Sequence, residues 1–321
     1  METRHLIIFE SSMNSRFIEL SVENNMEYTC FNMENSLKEG ILLAIVNRIA
    51  NRNDLKNKLR SFMRFVEENK IEQVYLSNTE GYIGCTGSKF LKSKCPEVEF
   101  IALQHGIFPL EINFFKNSLI KIINKISFFC FGICVLGEGF GSVLLDKYIV
   151  YGNAEKSFLI NSRNWNNKNI EVNLKFLKSY LLKGKKIDLN KTKVKQNSAI
   201  LLLQSLASAK ICSVSEELIL IEQTINYLSL KFEKVLLKEH PFCKNRIKNI
   251  KLPANVEVIE DMIDGFQNSI VAYSYFSTAL IDAKFFNLKA IAIYSSMFKM
   301  DKSVYKIFDN IISFEKEIEN K

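Results

Sequence analysis

At 321 residues, with 47% hydrophobic side chains, the chain suits two domains of about 150 residues and can fill two cores. Only 4 Pro and 12 Gly leave little room for disordered linkers, and the formal charge of +8 comes without a nucleic-acid-binding motif, which argues against nucleic acid as a partner. The 7 cysteines are odd in number and lack metal-ligand spacing; most lie in apolar runs, as expected of reduced thiols in a cytoplasmic protein.

The polar start Met1–His5 precedes a very short apolar run, so no signal peptide is read there. A first strand is predicted at Leu6–Phe9, then one long helix from Leu42 to Asn69 with apolar residues at helical spacing. Strand Gln73–Leu76 ends in Ser77-Asn78-Thr79-Glu80-Gly81, a helix follows over Tyr82–Ser93, and strand Val98–Leu103 ends at Gln104-His105-Gly106. Ser118–Leu136 is the most membrane-like stretch. Lys121 and Lys125 interrupt it, leaving fewer than the roughly 20 apolar residues a bilayer span needs, so a buried or membrane-facing helix is expected. A strand near Lys147–Tyr151 closes this half.

Between Arg163 and Lys195 stand ten Lys or Arg against Glu171 and Asp188. Two readings are open: a solvated linker, or a patch that, together with Leu119–Phe131, holds the protein on an anionic membrane surface. Strand–helix alternation then resumes with strand Ala199–Leu203 ending in Gln204-Ser205 and helix Val214–Leu230. Strand Val235–Leu237 runs into Lys238-Glu239-His240-Pro241. Three further strands follow at Val256–Ile259, Ile270–Tyr273 and Ala290–Tyr294. Continuous apolar strands alternating with helices predict an α/β fold of two Rossmann-like, doubly wound parallel-sheet domains facing across a cleft. The expected domains are 1–162 and 198–321, joined by a basic linker at 163–197.

In such sheets ligands sit beyond the carboxyl ends of the strands. Two of the three histidines, His105 and His240, fall there, one in each half, and two of the four prolines, Pro109 and Pro241, share their loops. Each histidine can instead be an ordinary hydrogen-bonded structural residue. Lys238, His240 and the hydroxyls of Ser274, Ser277 and Thr278 form a donor set suited to phosphate or carboxylate, with Gln204 and Ser205 at the neighbouring strand end. Ser277-Thr278 reads equally as a helix N-cap, and Asp282 as a solvated or packing residue. Glu80 is a strand-end carboxylate able to act as a base, or simply a turn residue; Glu10 and Glu138 are weaker candidates. No Asp-x-Asp cluster stands at a strand end, so neither a metal nor a cofactor is called for.

The order Gln104-His105-Gly106-Ile107, Lys238-Glu239-His240-Pro241 and Tyr273-Ser274-Tyr275-Phe276-Ser277-Thr278 resembles bacterial surface-polysaccharide transferases of the GT-B fold. The sequence is similar to the sialyltransferase and polysialyltransferase group and to capsule Kdo transferases, and more distantly to CDP-glycerol glycerophosphotransferases. The resemblance implies inverting transfer of a sugar from a nucleotide donor, CMP-linked, to a glycan or lipid-linked glycan in capsule or lipopolysaccharide synthesis. It also implies that 1–162 lies on the acceptor side and 198–321 binds the nucleotide donor; the expected location, with the basic and apolar stretches above, is the cytoplasm, peripheral on the inner face of the cell membrane. His240 would contact the donor phosphate, and Ser277 and Thr278 would hold its phosphate or carboxylate. The general base of that group lies in an acidic pair followed by Gly. Here that position most resembles Gln104-His105-Gly106, so His105 would replace the acid as base, as in the His-Gly motif of the glycerophosphotransferases, with Thr79-Glu80-Gly81 as a half-matching rival. A CDP-polyol phosphotransferase, a GT-B-shaped sugar-nucleotide epimerase and a non-catalytic binding protein are the alternatives.

Overall fold

The computed structural model describes residues 4–9, 18, 20–21, 24–31, 41–104, 106, 108, 110, 113–173, 176, 197–209, 211–240, 246–298, 302–308 and 310–319, with only the backbone of Ile41 and Phe114. The chain divides into two compact units, residues 1–183 and 184–321. The first runs β1 (Arg4–Phe9), β2 (Glu27–Phe31), α1 (Ile41–Ala50), α2 (Arg52–Glu68), β3 (Gln73–Ser77), α3 (Tyr82–Lys94), β4 (Glu99–Leu103), α4 (Phe114–Phe131), β5 (Lys147–Val150), α5 (Asn153–Arg163) and β6 (Ile170–Val172). The second runs β7 (Ser198–Leu202), α6 (Val214–Lys231), β8 (Lys234–Lys238), β9 (Val256–Ile259), α7 (Met262–Gln267), β10 (Val271–Ser274), α8 (Ala279–Phe285), β11 (Lys289–Tyr294), β12 (Ile311–Ser313) and α9 (Phe314–Glu317).

Each unit is built on a six-stranded sheet whose strand pairs are all parallel. The first sheet has the order β2-β1-β3-β4-β5-β6, so the chain reverses its direction of travel between β1 and β3. The second has the order β12-β11-β10-β7-β8-β9. Counted from its own first strand, that is the 3-2-1-4-5-6 order of dinucleotide-binding folds, with the reversal between β7 and β10. A reversal of this kind opens a crevice beyond the strands' carboxyl ends, because the connecting chains leave to opposite sides.

The central strands are the apolar runs expected of sheets covered on both faces: all five residues of β7 are buried, as are Val235, Leu236 and Leu237 in β8. Three strands go beyond the sequence reading. β2, β6 and β12 are short sheet members with partly exposed residues, and none carries a continuous apolar run. β6 lies inside the stretch read as a basic linker, where its pairing with β5 makes it part of the first sheet. Most of the rest of that stretch falls outside the described residues, so its proposed relation to Leu119–Phe131 stays an expectation.

The single helix expected over Leu42–Asn69 is two helices that meet at Asn51. Leu55, Leu59, Phe62 and Val66 form the buried face of α2. His5, expected in a polar terminus, is instead part of β1 and only 2% exposed, its ring 5.2 Å from Phe62 and 5.1 Å from Phe65. Gly87 in α3 allows the helix to lie on β1, since a Cβ there would stand 2.5 Å from Phe9 Cζ. Among the described residues, no helix is long and apolar enough to cross a membrane.

Candidate functional site

In the first unit, the loop after β3 ends at the reversal point of the sheet and carries Thr79 and Glu80, 3% and 8% exposed. Asn78 turns the chain in the left-handed region (φ 51°), which Asn tolerates better than most residues. The loop then passes so close to α3 that a Cβ on Gly84 would lie 1.9 Å from the Asn78 carbonyl oxygen. The fully buried Tyr148, from β5, donates its phenol to Glu80 Oε1 at 2.5 Å, and Thr79 Oγ1 donates to the same oxygen at 3.3 Å. Burial first, then the negative charge of Glu80, pushes the Tyr148 phenol well above its ordinary pKa, so it stays a donor.

A polar lattice supports this loop. The Glu138 amide donates to the Glu80 carbonyl at 3.0 Å, while its carboxylate takes an ion pair from Lys89 and a hydrogen bond from Asn124 Nδ2 at 3.1 Å. Gly137 is needed there, because a Cβ would meet the Glu80 carbonyl oxygen at 2.7 Å. At the end of β4, Gln104 is fully buried: its Oε1 accepts the Tyr151 amide at 2.9 Å, and its Nε2 donates to the Gly106 carbonyl at 2.9 Å and to Glu155 at 3.2 Å. His105, the next residue, lies outside the described residues, as do Glu10 and Pro109.

In the second unit the reversal point is stitched by side chains. Gln204 Oε1 accepts the Phe276 amide at 2.8 Å and the Ser274 hydroxyl at 3.3 Å, and that hydroxyl also donates to the Leu202 carbonyl at 2.7 Å. Ser274 is fully buried, so its hydroxyl serves the framework between β7 and β10. Lys238 ends β8; its carbonyl accepts the Leu203 amide at 2.9 Å, and its Nζ donates to the Glu239 carbonyl at 3.0 Å. His240 is half-buried, and desolvation, then the charge of Lys238, lowers its pKa below the ordinary 6.5 despite an opposing contribution from Glu217. Pro241 lies outside the described residues.

Ser277 caps α8 through its side chain, accepting the Ala279 amide at 3.2 Å, while its carbonyl takes the Leu280 amide at 3.0 Å. Thr278 stands at the N-cap in helical conformation without a side-chain cap, and its carbonyl accepts the Ile281 and Asp282 amides at 2.9 and 3.2 Å. The first amides of this short helix are therefore engaged within the chain, which leaves the half-exposed Ser277 and Thr278 side chains as the groups able to meet a ligand. Asp282 is 3% exposed, a packing residue rather than a solvated one.

The sequence reading missed Glu217. It is fully buried on α6, where its Oε1 accepts the amides of Leu206 at 2.7 Å and Ala207 at 3.3 Å and its Oε2 stands 3.1 Å from Arg246 Nε. It thereby fixes the loop that follows Gln204-Ser205. Glu315 plays a similar part after β11. Burial acts to raise its pKa, but hydrogen bonds from Ser295 Oγ, the Ser296 amide and Ser296 Oγ overcome this and hold it down at about 2. Among the described residues, no group of three or more His, Cys, Asp or Glu side chains is placed to hold a metal ion.

No curated protein matches the sequence significantly. Several solved structures match the fold. The calicheamicin glycosyltransferase CalG4 aligns with a TM-score of 0.54 at 8% identity, over 99% of this chain and 87% of its own. The glycosyltransferase SnogD from Streptomyces nogalater aligns with a TM-score of 0.54 at 11% identity, over 98% and 90%. The spinosyn rhamnosyltransferase SpnG, complexed with thymidine diphosphate, aligns with a TM-score of 0.52 at 7% identity, over 94% and 83%. At such identities the likeness shows the fold, that of GT-B glycosyltransferases. Residues 3–295 match the alpha-2,8-polysialyltransferase (POLYST) family, so the chain belongs to that family and is a glycosyltransferase of polysaccharide synthesis.

Proposed function

We propose that the enzyme transfers a sialic-acid-type sugar from a CMP-linked donor to a glycan acceptor with inversion, in the synthesis of a capsule or lipopolysaccharide. The observation that carries this reading is the position of the candidate residues. Glu80 stands at the strand-order reversal of the first sheet, and in the second Lys238-Glu239-His240 closes the strand beside β7, next to the reversal stitched by Gln204 and Ser274. Ligands of open α/β sheets bind beyond such strand ends. The family's name and the thymidine diphosphate bound by SpnG both favour a nucleotide-linked donor.

In this reading the acceptor hydroxyl oxygen attacks the anomeric carbon and forms the new glycosidic bond. The bond from that carbon to the phosphate oxygen breaks, its electron pair leaves with CMP, and the acceptor proton passes to the Glu80 carboxylate. Tyr148 and Thr79 hold that carboxylate in one orientation. Lys238 and His240, with the hydroxyls of Ser277 and Thr278, meet the growing charge on the departing phosphate. Ser274, Gln204 and Ser205 shape the loops that carry these groups. His105 is the rival base, as the residue after the pinned Gln104.

The test is chain extension of an oligosialic acid primer with radiolabelled CMP-sialic acid, run beside UDP- and GDP-linked sugars. Elongation from the CMP donor, with a turnover loss of about 10²–10⁴ in Glu80→Gln, is expected. Elongation from a UDP or GDP donor alone would overturn the donor assignment. Full activity in Glu80→Gln, with loss in His105→Ala, would move the base to His105.

A further inference from the structure

Helix α4 is built inside out. Its five residues Phe115, Leu119, Ile122, Ile126 and Phe129 are spaced four, three, four and three apart and are 81%, 50%, 57%, 59% and 91% exposed. On the opposite face two polar residues, Asn124 and Ser127, are buried. Asn124, fully buried, accepts the Val135 and Leu136 amides at 3.0 Å each and donates to the Leu136 carbonyl at 2.8 Å, and Ser127 donates to the Ile133 carbonyl at 2.9 Å. A helix normally turns its apolar stripe to the core. Here hydrogen bonds to residues 133–136 hold the face of Asn124 and Ser127 inward, so the apolar stripe is presented outward by construction.

The charge along this helix has one sign. The α4 sequence contains Lys116, Lys121 and Lys125, all exposed, and no Asp or Glu. Next to it, α1 exposes Leu42, Leu43 and Val46 and again has a cation, Arg48, with no acid. Arg48 Nη1 donates to the carbonyl of Val135, in the chain that leaves α4, at 2.5 Å, and the Arg52 guanidinium, at the start of α2, lies 5.9 Å over the ring of Phe131, the last residue of α4.

We infer that α4 docks the protein on an anionic lipid bilayer, lying in the plane of the surface with its stripe in the acyl boundary and its lysines among the headgroups. Apolar side chains on one face with lysines and no acids along the helix are the composition of an interfacial helix. Attraction to anionic lipid adds about 1 kcal/mol per lysine near the surface. The stripe's spacing is also that of a coiled-coil seam. A symmetric second copy would bring Lys116 and Lys125, which flank the stripe, against their own kind, whereas an anionic surface neutralises them. The inference does not depend on the identity of the donor or the base.

Cosedimentation of the full chain with vesicles tests it, using phosphatidylcholine alone and phosphatidylcholine containing phosphatidylglycerol. Binding to the anionic vesicles is expected, weakened by salt. Combined Lys116→Gln, Lys121→Gln and Lys125→Gln should lower the partition constant about 100-fold. Combined Phe115→Ser and Phe129→Ser should lower it by at least about tenfold. Leu230→Ser, at an 83% exposed position on α6, should leave it unchanged. The substituted positions are exposed, so circular dichroism should show the wild-type fold. No binding to anionic vesicles, or binding that survives the stripe substitutions, would overturn the inference. So would a dimer in sedimentation velocity that the same substitutions convert to monomer, which would make the stripe a protein interface.

Discussion

The phenol of Tyr148 reaches 68 residues back along the chain to donate its proton to Glu80 at 2.5 Å, and it does so from full burial. A hydrogen bond to a charged group is worth about 1.5–3 kcal/mol. Tyr148→Phe should therefore lower the unfolding free energy by that amount. If Glu80 is the base, turnover should fall while CMP affinity holds, because Tyr148 orients the carboxylate and does not touch the donor. Denaturant unfolding and a separate nucleotide titration read the two effects. A parallel loss of CMP binding would count against this division of roles.

His240 should make donor binding depend on pH. Its free pKa lies below 6.5, held down by burial and by Lys238. A bound phosphate adds negative charge and raises it, so the complex takes up a proton. CMP affinity should then strengthen as pH falls through the raised value, and level off below the free one. Calorimetric titration from pH 8 to 5 checks the sign, and His240→Gln should flatten the profile.

Glu217→Ala should damage stability more than its place in the first turn of α6 suggests. It strips the amides of Leu206 and Ala207 of their acceptor and Arg246 of its counter-ion. A buried donor left unsatisfied costs about 1–3 kcal/mol, so a loss of about 3 kcal/mol in thermal or urea unfolding is expected. Ser215→Ala, at an exposed position on the same helix, should cost less than about 0.5 kcal/mol.

His5 should make the protein acid-sensitive. Burial lowers its pKa to about 4, and Nε2 lies 2.9 Å from Thr29 Oγ1 between the Phe62 and Phe65 rings. The folded state thus binds fewer protons than the unfolded chain between pH 6.5 and about 4. The stability from keeping this ring neutral is complete above pH 6.5 and is lost as pH falls toward about 4, to a total of about 3 kcal/mol. His5→Phe should remove that part of the pH dependence, as read by urea midpoints across the range.

The architecture was legible because its central strands are buried on both faces and so appear as unbroken apolar runs: Leu6–Phe9, Val235–Leu237 and Ala290–Tyr294 all announce themselves. β2 did not, since Glu27-Tyr-Thr-Cys-Phe31 lies at the sheet edge, half in water, and needs no such run. The polar residues that end strands, Glu80, Gln104, Gln204 and Lys238, were visible by the same contrast. Their partners were not. Glu217 sits in a helix where a carboxylate reads as a solvent-facing residue, and Tyr148 sits in a strand where an aromatic reads as core. The apolar run in Ser118–Leu136 announced a buried or membrane-facing helix without showing which side of α4 turns outward.

Gln104 and Gln204 fasten their loops in the same way, each using its amide oxygen to catch a backbone amide from beyond the neighbouring strand, Tyr151 in one unit and Phe276 in the other. A carboxamide carries no charge and does not titrate in water. These fasteners therefore keep their geometry from mild acid to mild base, and they bring no net charge to the strand ends where the donor is proposed to bind. In the proposed site the pH response is thus left to the groups that face the substrates, while the backbone that carries them stays constant.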